Sequence, residues 1–420
     1  MWRGARLAWR SSAVRRFSSN VRRLPEDEGD WSYSSEWWGT SSDGRTVFRS
    51  TSDYGNGVVS VVSYPCSRPA PMQWPTIERW LEQRYAKSHP EFEHDGKIRI
   101  LGYEWRVLSF NGNTRQSTAK TMVTYRKSDP ASLYLMQQPH CLAVPYLKSM
   151  VSAGLITLTS STYDLPEAVI GKRTMNILCI GHGGGSLPLF LASKIKGAVV
   201  HIVDIDPVVI SASIQAMGFP ASAVKTADQI SVAPPAHADR LLWDGIHDRL
   251  FLHRSDAEDF VLNNPYIYDL VFIDAYDGDD IFPRKLWDSD GPFLRSLENR
   301  LHPAHGTVVV NLHSDSEGFA TDANDCSFSD SILPMSRYVS QVCRAYKEHL
   351  GLAFCVPVPW LCNATLVACR GTGLCAGEGL FVNRDMVLNT LISKSRLVET
   401  VLDLPFPCLQ YVKGGFVLVD

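Results

Sequence analysis

After Lys172 the sequence alternates between short apolar runs and longer helix-compatible stretches, and few architectures accept that rhythm. Strand candidates are 175–181, 199–206, 249–255, 270–274 and 307–312, with helical stretches near 186–196, 207–217, 257–263 and 283–301. Strands joined through helices of this length make right-handed crossovers, which lay the strands parallel in one sheet covered on both faces. A further helix over 331–350 and strands at 352–358 and 365–368 bring the sheet to about seven strands. The expected fold class is α/β, a Rossmann-like sheet over residues 138–420. The stretch 220–248, rich in Ala and Pro, reads as an insertion.

The sharpest local signal sits at the first of these strands. The apolar run Asn176–Ile180 leads into Gly181, His182, Gly183, Gly184 and Gly185, and then into a helix opening at Ser186. Glycine lets the backbone turn sharply and lets a ligand approach the main chain without a Cβ in the way. A glycine cluster alone also arises for packing reasons, so its context matters. The next strand ends in Asp204, Ile205, Asp206 and Pro207, which puts a carboxylate where both ribose hydroxyls of a nucleoside can donate to it. Asp204 could instead cap the following helix, but Asp206, directly before Pro207, fits that task better.

Two more strand ends point into the same crevice. Asp256, before Ala257, can accept the amino group of an adenine or cap the helix starting there. Asp274 begins the acidic stretch Ala275, Tyr276, Asp277, Gly278, Asp279 and Asp280. Ligands of open α/β sheets sit at the carboxyl ends of the strands, so Asp204, Asp256 and Asp274 are expected to converge. Three acids without a basic phosphate clamp suit an uncharged nucleoside carrying a cationic sulfonium, and suit a dinucleotide poorly.

Upstream, residues 31–137 read as a small β-rich domain. Runs at 57–62, 98–101 and 103–110 favour strands, and Asn111, Gly112 and Asn113 form a hairpin signal because Asn-Gly accepts positive φ cheaply. One helix is expected over 76–87, and a second over 140–153 joins the two parts. The first 23 residues hold seven arginines and no acid, the pattern of an organellar presequence over residues 1–30. The expected location is the mitochondrial matrix, with another organelle or the cytoplasm as alternatives. A basic arm touching nucleic acid is the other reading. Removing those seven charges from a formal −3 leaves −10, and so acidic a body disfavours nucleic acid as a partner. No run of about 18 apolar residues is present, so no membrane span is expected. Cys355, Cys362, Cys369 and Cys375 are too widely spaced for a zinc knuckle, and no metal is expected.

The stretch from Asn176 to Leu312 resembles the spermidine-synthase-like branch of SAM-dependent transferases. The similarity rests on the glycine turn through Phe190, on Asp204 to Pro207, on Ser255 to Ala257 and on Ile273 to Asp277. It extends to Arg115, Gln116 and Ser117, which look like the Gln-Ser step of the polyamine synthases. The resemblance implies cofactor contacts from Gly181, Gly183, Gly185, Asp204, Ile205, Asp256, Ala257, Asp274 and Gln116. It implies substrate or catalytic roles for Asp274 and Asp277, although Asp277 to Asp280 can equally be a solvated acidic turn. The synthases place an Asp in the glycine turn where this chain has Gly184, and that Asp would repel the carboxylate of intact SAM. Two unit charges about 4 Å apart interact by roughly 4 kcal/mol at an effective dielectric near 20. Methyl transfer from SAM to an amine acceptor is therefore expected, on a protein lysine or N-terminus. Aminopropyl transfer from decarboxylated SAM to a polyamine is the first alternative, and a non-catalytic SAM-binding assembly protein the second. A homodimer is the candidate assembly.

Overall fold

The computed structural model describes residues 44–88, 97–112, 114–161, 163–225, 241–279, 281–313, 337–358, 363–370 and 383–420. The arginine-rich start, positions 226–240 of the insertion, Asp280 and the first six residues of the helix expected at 331 lie outside them.

The N-terminal part is a five-stranded antiparallel meander: β1 (Arg45–Thr51), β2 (Val58–Pro65), β3 (Ile98–Phe110), β4 (Thr114–Arg126) and β5 (Asp129–Gln137), paired in that order. Helix α1 (Trp74–Ser88) packs against β3. Asn111 and Gly112 both take positive φ between β3 and β4, as the hairpin signal requires. The sheet's apolar face does not stand alone. Val59, Val61, Leu108 and Phe110 form one buried cluster with Val209, Ala212 and Met217 of the second part.

The second part is an eight-stranded sheet ordered β13-β11-β12-β10-β9-β6-β7-β8. Its parallel core comprises β6 (Met175–Ile180), β7 (Ala198–Asp204), β8 (Leu250–Arg254), β9 (Leu270–Ile273) and β10 (Thr307–His313). β12 (Asn363–Cys369) runs antiparallel between β10 and β11 (Leu352–Pro357). The eighth strand, beyond the seven expected, is the two-residue β13 (Val417–Leu418) on the β11 edge. β9 is wholly buried and β6 nearly so, as strands covered on both faces must be.

Two elements differ from the sequence expectation. The helix foreseen over 283–301 is a short turn at Arg284–Leu286 followed by a helix at Pro292–Arg300, because Gly291-Pro292 starts a new helix at its first position. The joining helix α2 runs over Pro145–Ser160, and all sixteen residues are buried. It lies against β10 and β12 and is covered by the C-terminal helix Arg384–Leu402, so its polar face has no access to water. Among the described residues no helix is long and apolar enough to cross a membrane.

Candidate functional site

Strand order reverses between β6 and β9. From β6 the chain winds outward through β7 and β8, then returns to β9 and β10 on the other side. A crevice opens at such a switch point, beyond the carboxyl ends of the strands. Here it is a cleft of about 230 Å³. Its lining includes Gly181, Gly183, Asp204, Ile205, Asp256, Ala257, Asp274, Asp277 and Gln116. The structure thus brings eight of the nine expected cofactor residues and both expected catalytic acids to one place. Gly185 does not line the cleft. Its left-handed φ of 79° instead turns the chain into the helix Ser186–Lys194 under Phe219.

Gly181 shows why the turn needs glycine. Its φ is +86°, and a Cβ there would collide with the carbonyl oxygen of Asp274. The neighbouring strands hold this approach: Gly181 N donates to Val203 O at 2.9 Å, and Asp274 N donates to Ile180 O at 2.8 Å.

Asp204 accepts from the amides of His182 (2.8 Å) and Asp206 (2.9 Å), one on each oxygen. Burial raises its pKa to about 6, against the pull of those amides toward the charged form. The amide of Gly183 also bonds to this carboxylate, and of its about four acceptor sites at least one is left for a ligand hydroxyl. Asp206 is the helix cap foreseen for it: Oδ1 accepts from Val208 N at 2.8 Å and Oδ2 from Asn56 Nδ2 of the N-terminal part at 2.6 Å.

Asp256 has structural partners on both oxygens. Oδ1 caps the helix Ala257–Asn263 through Glu258 N at 2.9 Å, and Oδ2 pairs with Lys285. Burial alone would raise its pKa, but Lys285 and the amides of Glu258 and Asp259 outweigh that and lower it. The cleft is therefore not lined by acids alone. Lys285 supplies a cation that the sequence reading missed, and Asp256 neutralises it.

Asp274 lines both this cleft and a smaller cavity beside it. Its Oδ1 accepts from Asn311 Nδ2 at 2.8 Å, and the Tyr146 hydroxyl bonds to the same carboxylate. Burial and then the Asp274 charge raise the Tyr146 pKa well above 10, so that hydroxyl stays a donor. Asn311 is itself fixed by Asn363 Nδ2 at 3.0 Å. Asp277 instead closes its own loop: its Oδ1 accepts from the amides of Asp279 (3.0 Å) and Ile281 (2.8 Å). His182 is a packing residue. It sits edge-on to Phe219, burial lowers its pKa to about 3, and its Nε2 lies 2.7 Å from Ser213 Oγ.

Gly184 does not do what was expected of it. The position lines neither the cleft nor the smaller cavity, and a Cβ there would point at Met217 Cε (2.5 Å) and Ser117 Oγ (2.7 Å) rather than into the cofactor space. The glycine lets the β-rich sheet and the segment after the helix Pro207–Gln215 close over the turn.

The N-terminal sheet roofs the cleft with Tyr54, Asn56, Phe110 and Gln116. Gly278 N donates to Gly55 O at 3.2 Å and Asn111 Nδ2 to Gly278 O at 3.1 Å, tying both loops of that sheet to the loop after β9. Tyr54, Lys285 and Asn311 carried no signal in the linear sequence, since each sits among residues with ordinary periodicity.

Over 183 residues the chain is 27% identical to the eEF1A lysine and N-terminal methyltransferase of Bos taurus, covering 41% of this chain and 21% of that protein. The chain resembles the spermidine-synthase-like SAM-dependent methyltransferases. It spans about a fifth of the length of that curated relative. No protein-family model matches it. Among solved structures, human Methyltransferase-like protein 13 in complex with SAH is 18% identical, with a TM-score of 0.42, covering 62% of this chain and 93% of that one. A probable spermidine synthase from Corynebacterium glutamicum is 13% identical, with a TM-score of 0.39, covering 72% and 92%. At these scores the structural likenesses carry no argument about this chain.

Proposed function

We propose that the chain is a SAM-dependent methyltransferase acting on an amine, a protein lysine or N-terminus. The observation that carries this reading is the gathering of Gly181, Asp204, Ile205, Ala257 and Asp274 around one cleft at the switch point of the sheet. The residues present fit the cofactor. Gly181 lines the cleft, and Ile205, 41% exposed, offers an apolar surface to a nucleoside. Gln116 Nε2 is a buried donor without an acceptor. Asp204 would hold the ribose hydroxyls, Ala257 and the helix start behind it would flank the adenine, and Asp274 would face the sulfonium end.

When bound, SAM supplies an electrophilic methyl group on a good leaving group. The protein's own task is to present a neutral amine in line with it. For an amine near pKa 10.4, deprotonation at pH 7 costs roughly 4.6 kcal/mol. Asp274 attracts the ammonium, and its carboxylate accepts the proton while Asn311 and Tyr146 fix its orientation. Positioning of amine and methyl supplies up to about 7–11 kcal/mol more. Asp277 shapes the acceptor mouth through the loop it closes.

Calorimetric titration with SAM, decarboxylated SAM and methylthioadenosine, followed by transfer of labelled methyl to protein acceptors, tests the reading. Micromolar SAM binding with labelled protein product is the expected result. Preference for decarboxylated SAM with product on a polyamine would assign aminopropyl transfer instead, and binding without turnover would assign a non-catalytic SAM-binding protein. Import into mitochondria is part of the proposal and rests on the seven arginines before residue 24. A fluorescent protein carrying residues 1–30 that stays in the cytosol would refute it.

A further inference from the structure

Gln116 is the polar group of this site whose chemistry is left open. It lines both the broad cleft and a smaller adjoining cavity formed with Tyr146, Cys179, Phe272 and Asp274. Its Nε2 is buried with no acceptor within reach. A buried amide donor left unpaired is costly, so such an atom marks a place where an acceptor belongs.

Three other polar side chains of that cavity are committed. The Tyr146 hydroxyl has a single proton, shared between the Asp274 carboxylate and Gln116 O, which lies 3.3 Å away. Ser186 Oγ donates to Thr118 O at 3.3 Å and accepts from Gln137 Nε2 at 2.9 Å. Ser213 Oγ donates to Ile210 O, so His182 Nε2 is the donor in their contact. The unpartnered His182 Nδ1 is then an acceptor and cannot serve an anion.

Position distinguishes the ends of an adenosyl ligand. Asp204 and Ile205 follow β7, while Asp274 follows β9, and these strands flank β6 on opposite sides. Asp204 and Ile205 lie outside the smaller cavity, which Gln116 shares with Asp274. With ribose at Asp204, the group reaching Gln116 is the amino-acid end of the ligand. An amide donor suits its carboxylate.

We propose that Gln116 binds the α-carboxylate of SAM and thereby sets the choice of intact over decarboxylated cofactor, a step that rests on the reading of the cleft as an adenosyl site. Gly184 cannot perform that discrimination, being packed against Met217 and Ser117. Gln116→Glu keeps the shape and replaces the donor with a negative charge. Gln116→Met keeps the length and removes the donor.

The test is calorimetric titration of the full chain and both variants with SAM, decarboxylated SAM and methylthioadenosine, which lacks the amino-acid end. Gln116→Glu is expected to weaken SAM at least about 30-fold, to hold methylthioadenosine within about threefold, and to bind decarboxylated SAM as well as or better than the parent. Gln116→Met is expected to lose about tenfold for SAM alone. Equal losses for SAM and methylthioadenosine would show that the amide serves the ribose, and would overturn the proposal. So would unchanged SAM binding by Gln116→Glu while the parent binds all three ligands. A parent protein that binds none of the three would overturn the adenosyl reading as well.

Discussion

Gly181 and Asp274 are held so close that the backbone of one occupies the space a side chain on the other would need. They end adjacent parallel strands, β6 and β9, at the point where the winding of the sheet reverses. The contact fixes the catalytic carboxylate of the proposal relative to the turn over which the cofactor would lie.

Gly181→Ala is therefore expected to be harmful twice over. Alanine at φ +86° is strained, and its Cβ strikes the Asp274 carbonyl. A loss of roughly 1–3 kcal/mol in thermal or denaturant unfolding is expected, together with loss of measurable SAM binding. A folded variant with parental affinity would refute the close-approach argument.

Asp274→Asn and Asp277→Asn separate the two acids. The amide of Asp274→Asn can still bond to its neighbours but cannot take a proton, and a fall in kcat of about 10²–10⁴ is expected. Asp277→Asn retains an oxygen that can accept from the amides of Asp279 and Ile281, so a fall of less than about tenfold is expected. Steady-state rates on a labelled acceptor check both, and equal losses would place Asp277 in the chemistry.

The raised pKa of Asp204 gives ligand binding a direction with pH. The folded state holds this proton more tightly than the unfolded chain, because the pKa rises from 3.8 to about 6. The group's contribution to stability is thus complete below pH 3.8 and is lost as pH rises through 6. Ribose hydroxyls donate to the ionised form, so SAM affinity should run the other way and weaken about tenfold from about pH 7 to about pH 5. Titration at both values, with Asp204→Asn as the control expected to show little pH dependence, decides it.

Asp256 distinguishes a cap from a ligand contact. Asp256→Ala removes the cap of the helix Ala257–Asn263 and should cost about 1 kcal/mol of stability, whereas Asp256→Asn keeps the cap and should not. If adenosine affinity stays within about threefold in Asp256→Asn, its carboxylate acts chiefly on its own helix and on Lys285.

His182 contributes in the opposite sense to Asp204. Its pKa falls from 6.5 to about 3, so the stability it supports is present above pH 6.5 and is lost as pH drops toward 3. His182→Gln should flatten the acid limb of an unfolding curve between those values, and an unchanged limb would assign acid lability elsewhere.

Much of the scaffold was legible in the linear chain. Apolar runs report parallel strands because a strand buried on both faces has no polar side to show, as β9 demonstrates. Pro207 marked Asp206 as a cap, and Val208 N donates to it at 2.8 Å. Other features escaped because their cause lies far away in sequence. The burial of α2 on every side depends on the helix Arg384–Leu402 lying across it. Asn56 stabilises a residue 150 positions away, and Lys285 neutralises Asp256 across a gap of 29.

The sequence by itself determined the alternation of strands and helices, the glycine turn and the acids at the strand ends. These are local matters: periodicity, backbone freedom and capping act within a few residues. Only the tertiary structure decided which carboxylates keep lone pairs for a ligand and which are committed to helix amides and Lys285. It also decided that the space beside Gly184 is filled and that Gln116 is left with an unpaired donor, because hydrogen-bond partners are settled by which elements pack together.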